Sequence, residues 1–541
     1  WLREELAGLG ADQPRVADAS LVGGERGNEG HRQGAEVDLV VDLTYNLFGK
    51  PGDPARDVRA KNVNTVDEVP DSSWFTNRIG RRPMTAEEIA IGPDLTAGPG
   101  TGRWIVTASK SDGVTPGFTI RNASGELWFL KFDPPGYRAM STGTEVTATK
   151  LMWALGYHVP ENHIAYLRRE QLEVGDGAEF EPPGGRSRAM RLSDIDTLLK
   201  RADREPDGSY RVVASKALQG TPIGRIRFYG TRPDDPNDIV PHEHRRELRA
   251  YGVFAAWLNH VDAKAINSRD MLVTENGRAF VRHNLLDFGS MLGSGGVGPA
   301  DYWAGSEHLV ELRGSGKQML AFGFSIPKWH TEDFYEANSI GRLPRDNTRF
   351  DPDLWKPRVP NQAFVRARPD DKFWAAQRLV ALNDGLLRAA VGAGAFGDPD
   401  SEAFLVRALS ERRDAIGRAY LAAVNPIADP ALDSAGVLTF RNAAADAGFA
   451  PAPAGYRAIW STFDNAGGSG QRIGETTGSA PRLDAPADLS VAPGAFIKVE
   501  LSATGAAPAS WQVPVHAYFR RTAEGWRLVG FELGLERRPL H

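Results

Sequence analysis

The chain of 541 residues contains no cysteine. This absence excludes disulfide bonds, thiolate catalysis and metal sites built from cysteine. It is also typical of proteins in oxidising compartments, where stray thiols are liable to oxidise. The chain starts at Trp1 rather than Met, as it would after removal of a targeting segment or lipid anchor. We therefore expect a periplasmic or extracellular protein. An incomplete amino terminus would look the same, and a cytoplasmic location is the alternative.

Three further features are missing. No run of residues approaches eighteen apolar positions, so the sequence predicts no transmembrane helix. The net charge is −5 and no strongly basic stretch is present, which argues against a nucleic-acid partner. No internal repeat of roughly 20–50 residues is visible. With 41% hydrophobic and 25% charged residues, the composition is that of a folded chain of several domains.

One stretch carries a chemical pattern. Residues 260–267 read HVDAKAIN, which is H-x-D-x-K-x-x-N, and Asp287-Phe288-Gly289 follows twenty residues after Asn267. Both motifs at a suitable distance arise by chance in about one chain in 100,000. The pattern resembles the catalytic loop of the protein-kinase-like superfamily, in which an Asp orients an attacking hydroxyl while an Asn and a second Asp hold Mg²⁺ against phosphates. The bland alternative for Asp262 is a turn or helix-capping aspartate.

The flanking sequence predicts how these residues meet. Apolar residues recur at spacings of three and four over 244–260, which predicts an amphipathic helix that ends at the motif. Strands are predicted at 271–273 and 278–286, joined through Asn276-Gly277, the strongest short signal for a hairpin. A hairpin folds the chain back on itself. We therefore expect Asp262, Asn267 and Asp287 to lie in one place.

Two charged residues upstream suit the same chemistry. Lys131 stands among apolar residues in a predicted strand at 127–132, where a lysine is otherwise an edge or snorkelling residue. Glu145 opens a predicted helix over 145–156 with Gly156 as its cap. A glutamate in a first turn is also favoured by the helix dipole alone. We expect Glu145 to form an ion pair with Lys131.

A third element is a loop with two glycines. Residues 109–118 follow a predicted strand at 104–109 and contain Gly113 and Gly117, which we interpret as a loop that covers phosphates. The spacing is not G-x-G-x-x-G, and an ordinary hairpin turn is the better explanation of the loop when it is taken alone.

Together these motifs resemble the protein-kinase-like superfamily, as an atypical bacterial member, over residues 101–425. The chain departs from typical protein kinases in having no A-P-E motif, a glycine-rich stretch at 290–298 and an insertion at 161–209. The resemblance implies an α+β, two-lobed fold that binds ATP with Mg²⁺ or Mn²⁺. It implies catalytic roles for Asp262, Lys264 and Asn267, nucleotide binding by Lys131, Glu145, Gly113 and Gly117, and metal binding by Asn267 and Asp287.

The function that follows from the resemblance is Mg-ATP-dependent phosphoryl transfer to a hydroxyl acceptor. A lysine two residues after the aspartate, here Lys264, favours a protein or peptide Ser/Thr acceptor over a small molecule. Two alternatives remain open. The first is a pseudokinase-like scaffold or structural subunit of an envelope or extracellular assembly, since ATP is scarce outside the cytoplasm. The second is transfer of AMP by the same fold.

The remaining sequence predicts the domain organisation. We assign 1–100 to an extension that wraps the core, 101–225 to the upper lobe and 226–425 to the lower lobe. Pro426 to Pro430 is interpreted as a linker, and 431–541 as a β-sandwich or barrel that either binds an envelope protein partner or only stabilises the chain. His242, Glu243 and His244 are a weak candidate for a metal site, and a solvated helix cap is the interpretation that we favour.

Overall fold

The computed structural model describes residues 42–110, 115–182, 186–309, 328–489 and 492–535. The protein is mixed, with helices and strands that form several sheets. Among the described residues, no helix is both long enough and apolar enough to span a membrane.

The largest sheet has seven strands in the order β4-β7-β3-β2-β1-β5-β6. Strand β3 shows why it forms, because Trp128, Leu130 and Phe132 are buried on one face while Lys131 lies on the other. The predicted insertion 161–209 belongs to this sheet, since β4 and β7 pair with each other and β5 runs parallel to β1. The strands are β1 (Trp104–Ser109), β2 (Gly117–Arg121), β3 (Leu127–Phe132), β4 (Asn162–Leu167), β5 (Leu172–Phe180), β6 (Arg188–Ala189) and β7 (Tyr210–Lys216).

Three helices accompany this part of the chain: α1 (Ala86–Ile91), α2 (Met140–Ala154) and α3 (Leu192–Leu199). Helix α3 packs on the face of the sheet that carries Trp128. Helix α2 lies on the face that carries Lys131 and is buried on nearly all sides. It starts five residues before Glu145, so the prediction that Glu145 opens the helix is wrong. Glu145 lies in the second turn, and the helix dipole alone does not explain it.

The middle of the chain contains a hairpin and a group of helices. Asn276 and Gly277 both have positive φ, 50° and 75°, as a two-residue hairpin turn requires. The three-stranded sheet has the order β10-β9-β8, and β11 pairs with β12. The elements are β8 (Thr221–Gly224), α4 (Arg246–Leu258), β9 (Ser268–Glu275), β10 (Arg278–Leu285), β11 (Phe334–Tyr335), β12 (Leu343–Pro344), α5 (Gln362–Val365), α6 (Pro369–Val380), α7 (Asp384–Ala393) and α8 (Pro399–Leu421).

Helix α4 differs from the amphipathic helix that the sequence predicts. It is buried on almost every side, and its charged residues are compensated inside the protein. Arg246 binds Asp370 and Asp371 at 3.0 and 3.1 Å, and Arg249 binds Asp371 at 2.9 Å. The face expected to meet solvent therefore meets α6.

Residues 42–100 pack closely against the rest of the chain. Val69, Trp74 and Phe75 are buried in the core shared with α4 and α6. The backbone nitrogen of Thr76 donates to the carbonyl of Gly156, immediately after α2.

The expected solvated cap at His242 to His244 is wrong, because these residues are buried. His242 lies 2.6 Å from Asp238 and His244 lies 3.0 Å from Asp53. No cluster of three His, Asp or Glu residues suited to a metal occurs in the described parts of the chain.

The final part of the chain forms two antiparallel sheets that share one core, and Trp460, Leu438 and Phe519 lie in it. The predicted linker at Pro426 to Pro430 is wrong, because strand β13 occupies it. The sheets are β13-β14-β17 and β16-β15-β18-β19-β20. The elements are β13 (Ile427–Leu432), β14 (Val437–Asn442), α9 (Ala443–Asp446), β15 (Gly455–Thr462), β16 (Arg472–Gly478), β17 (Arg482–Asp484), β18 (Phe496–Thr504), α10 (Ala509–Gln512), β19 (Val515–Arg521) and β20 (Trp526–Glu532).

Candidate functional site

Lys131 lies between two carboxylates that are far apart in the sequence. Its Nζ is 2.8 Å from Oε2 of Glu145 and 2.9 Å from Oδ1 of Asp287. Burial opposes a charge on this lysine, but the two carboxylates outweigh burial and raise the pKa of Lys131 above its ordinary value. Lys131 therefore carries a positive charge fixed in one position.

Glu145 also binds the backbone of the D-F-G motif. Its Oε1 accepts a hydrogen bond from the backbone nitrogen of Phe288 and its Oε2 accepts one from Gly289, both at 2.9 Å. The sequence analysis missed these bonds, since a backbone donor leaves no signal in the residue types. One buried carboxylate thus fixes both the lysine on β3 and the turn that carries Asp287.

Asp287 occupies the turn after β10 with a left-handed backbone, φ 61°. Lys131 above all, with a contribution from Lys110, lowers the pKa of Asp287 to about 2 against the effect of burial. The carboxylate is therefore ionised at neutral pH. Lys110, which follows β1, is a second cation at this site. Its position inside the predicted glycine loop, residues 109–118, is the sequence signal that could have indicated it.

The loop after α4 brings three further predicted residues together. The side-chain nitrogen of Asn267 donates to Oδ2 of Asp262 at 2.9 Å, and Nζ of Lys264 lies 2.8 Å from Oδ1 of Asp262. Burial would raise the pKa of Asp262, but Lys264 and Asn267 outweigh it, and the pKa lies below its ordinary value. Asp262 is therefore ionised and can accept hydrogen bonds, and Lys264 and Asn267 hold its carboxylate in place.

The hairpin joins this loop to Asp287. The backbone nitrogen of Leu286 donates to the carbonyl oxygen of Asn267 at 3.0 Å, which places Asp287 beside the loop. His260, the first residue of the motif, is fully buried, and neither ring nitrogen has a hydrogen-bond partner. Burial lowers the pKa of His260 to about 4, although Asp262 and Asp287 both act in the opposite direction. His260 is neutral and packs beneath the site.

The donor set fits a hard divalent cation. Because the amide nitrogen of Asn267 donates to Asp262, the amide oxygen is directed away from that carboxylate. Asp287 supplies a partly exposed, ionised carboxylate. Mg²⁺ binds oxygen ligands and commonly takes one or two from the protein, with the remainder from phosphates and water. Asn267 and Asp287 are two oxygen donors of this kind.

The glycine loop is only partly described. Gly113 lies outside the described residues, so its expected place over phosphates stays a prediction. Gly117 is the first residue of β2 and pairs with Lys131. A Cβ on Gly117 would lie 2.2 Å from the carbonyl oxygen of Leu130, so close contact between neighbouring strands explains this glycine.

The glycine-rich stretch after D-F-G forms a tight turn. The carbonyl of Gly293 accepts hydrogen bonds from the backbone nitrogens of Ala300 and Arg342, at 2.7 and 2.9 Å. A Cβ on Gly293 would lie 1.9 Å from the carbonyl oxygen of Arg342. Leu292 is tied to α4 by a bond of 2.7 Å from its backbone nitrogen to the carbonyl of Leu258. The absence of a side chain at Gly293 therefore lets its backbone cross closely over the backbone at Arg342.

Comparisons of the chain with protein-family models, with curated proteins and with solved structures found no match.

Proposed function

We propose that the protein is an atypical kinase that transfers phosphate from Mg-ATP to a hydroxyl acceptor, with two kinase-like lobes around the nucleotide. The observation that carries the proposal is the triad of Lys131, Glu145 and Asp287, with the pair of Asp262 and Asn267 tied beside it. Phosphoryl transfer needs little covalent chemistry from the protein. It depends on positioned charges and metal ligands, which these five residues would supply.

The resemblance implies a role for each residue, and the contacts in the structure are compatible with that role. Lys131 binds the α- and β-phosphates while Glu145 keeps it in place. Asn267 and Asp287 would hold Mg²⁺, which would offset the negative charge of the phosphates. Asp262 is ionised and accepts a hydrogen bond from the acceptor hydroxyl, which orients it for attack. Lys264, next to Asp262, offsets charge on the transferred group.

One observation favours the pseudokinase-like scaffold as the second candidate. Both carboxylate oxygens of Asp262 are already engaged, Oδ1 by Lys264 and Oδ2 by Asn267. An aspartate bound in this way also serves to fix a loop. In an enzyme, the hydroxyl substrate would have to share one of these carboxylate oxygens with Lys264 or Asn267. A scaffold has no such requirement.

The deciding experiment measures transfer from ATP labelled at the γ-phosphate, in Mg²⁺ or Mn²⁺, to protein, peptide and small hydroxyl acceptors. We expect metal-dependent labelling by the wild type and its loss in Asp287→Asn. ATP labelled at the α-phosphate, run in parallel, detects transfer of AMP instead. Glu275→Gln is a matched control, because Glu275 lies at the far end of the same hairpin and pairs with Arg282. Absence of labelling with every acceptor and with native partners would favour the scaffold.

A further inference from the structure

Asp133 connects the strand that carries Lys131 to the helix that carries Glu145. It follows β3 directly, and its buried carboxylate accepts hydrogen bonds from the backbone nitrogens of Ala139 and Thr142, both at 2.9 Å. It also accepts from the hydroxyl of Thr142 at 2.7 Å. Helix α2 has no cap from its own N-cap residue, Ala139. Asp133 therefore supplies the missing acceptor at the start of α2.

Arg211 extends this connection to the helices of the middle part. It lies on β7, the neighbour of β3, and is buried. Its Nε donates to the hydroxyl of Thr142 at 2.8 Å. Its other two nitrogens donate to the carbonyls of Gly394 and Ala395, at 2.6 and 2.7 Å. One guanidinium thus joins the start of α2 to the two residues that directly follow α7.

The two helices also touch through backbone. A Cβ on Gly143 of α2 would lie 2.6 Å from the ring of Phe396 and 2.9 Å from the carbonyl of Gly394. A Cβ on Gly394 would lie 2.4 Å from the hydroxyl of Thr147. Packing this close leaves α2 no room to rotate or slide without breaking contacts on several sides.

We propose that Asp133 and Arg211 are positioning residues that hold α2 fixed against β3 and α7, so that Glu145 stays paired with Lys131 whether or not nucleotide is bound. The proposal rests on the proposed function, since it concerns the geometry of the same site. According to this proposal, the packing of the fold alone keeps Glu145 and Lys131 together, and no regulated movement of α2 is needed to form the site. The proposed function assigns neither Asp133 nor Arg211 a contact with the nucleotide or the acceptor.

The first test separates positioning from general stability. We expect Arg211→Met to lower kcat/KM for Mg-ATP by about 10–100-fold, and Arg211→Lys to recover part of this loss. In a Glu145→Gln background, Arg211→Met should cause little further loss, because Arg211 acts through Glu145. Arg378→Met is the control. Arg378 is equally buried and binds Glu68 at 3.0 Å and Asn77 at 2.8 Å. It makes no bond to the start of α2 among the described residues, so we expect its loss to lower stability without releasing that end of the helix. Full additivity of Arg211→Met with Glu145→Gln would overturn the proposal.

The second test does not depend on activity or nucleotide binding. Hydrogen exchange of the α2 amides in the wild type should be slow and should change little when Mg-ATP is added. Arg211→Met should speed exchange in α2 by about tenfold or more, whereas Arg378→Met should not. Rapid exchange in wild-type α2 that becomes slow only with nucleotide would overturn the proposal. If the α2 amides exchange slowly but the wild type does not transfer phosphate, the proposed function is rejected, whereas the inference that α2 is held fixed is supported.

Discussion

Glu145 accepts a hydrogen bond from the backbone nitrogen of Phe288, 143 residues further along the chain. The same carboxylate binds Lys131, so a single side chain fixes both the strand lysine and the turn at Asp287. This double role decides how substitutions at Glu145 should behave. A substitution that keeps an oxygen should differ from one that removes it.

We expect Glu145→Ala to lower the free energy of unfolding by about 2–4 kcal/mol, because two backbone donors lose their acceptor and the buried Lys131 loses one of its two carboxylate partners. Glu145→Gln should cost less, since its amide oxygen still accepts one of these bonds. Denaturant unfolding measures both.

A double-mutant cycle that combines Glu145→Ala with Lys131→Met should show strong coupling in ATP affinity, and strict additivity would remove Glu145 from the site.

Asp287 should contribute to the acid dependence of stability. Its pKa in the folded protein is about 2, below the ordinary value of an aspartate, so its contribution is fully present above about pH 4 and is lost as the pH falls towards 2. Asp287→Asn should remove this part of the dependence in acid unfolding curves.

The same variant should lose metal-dependent nucleotide affinity at neutral pH with its fold intact. Unchanged Mg-ATP binding would exclude Asp287 as the principal metal ligand.

His260 should make the protein sensitive to mild acid. Burial lowers its pKa to about 4, so between about pH 6.5 and 4 the unfolded chain binds a proton that the folded protein does not. As the pH falls from about 6.5 to 4, the free energy of unfolding therefore decreases by roughly 3 kcal/mol because of this residue. Because neither ring nitrogen has a partner, His260→Phe loses no hydrogen bond. We expect the variant to unfold at lower pH than the wild type. An identical pH profile would show that folding does not lower the pKa of His260.

Asp262 distinguishes the enzyme from the scaffold. Asp262→Ala should leave nucleotide affinity nearly unchanged, since the residue has no expected contact with ATP. Transfer should fall by about 10²–10⁴-fold, the range for a lost acid/base group. Binding is measured by titration with Mg-ATP and transfer by initial rates. Equal transfer by the variant and the wild type would reject the role of Asp262 in catalysis.

Gly293 and Gly277 form a matched pair for the turn after D-F-G. Both have φ near 75°, but a Cβ on Gly277 would meet nothing, whereas one on Gly293 would collide with the backbone of Arg342. We expect Gly277→Ala to cost about 1 kcal/mol for backbone strain alone. Gly293→Ala should cost about 3 kcal/mol or more, because the crossing must open. Thermal unfolding of the two variants compares them, and equal losses would show that the crossing is not tight.

The elements that carry local signals were predictable. Strand β3, helix α2 and the hairpin of β9 and β10 follow from alternation, helical spacing and Asn276-Gly277. The contacts that complete the site were not, because they join backbone and side chains far apart in sequence. Glu145 with Gly289 is one example, and Lys110 near Asp287 is another.

Two errors have a common physical origin in burial by distant segments. The apolar stripe of α4 looks the same whether its other face meets water or an acid such as Asp371, 122 residues away from Arg249. Strand β13 looked like a linker because it contains Asp429 and Pro430. The strand accommodates them with a left-handed Asp429, φ 51°, and a shift in register between Ala428 and Ala431.

The packed segment 42–100 has a consequence for the order in which the protein folds. Glu68 accepts a hydrogen bond from the ring nitrogen of Trp374, and Thr65 accepts one from the backbone nitrogen of Phe531. This segment leaves the ribosome early, whereas its partners in α6 and β20 leave it late. Its buried residues, Trp74 and Phe75 among them, must wait for most of the chain to be synthesised. We therefore expect nascent chains that end before α6 to expose apolar surface and to depend on chaperones.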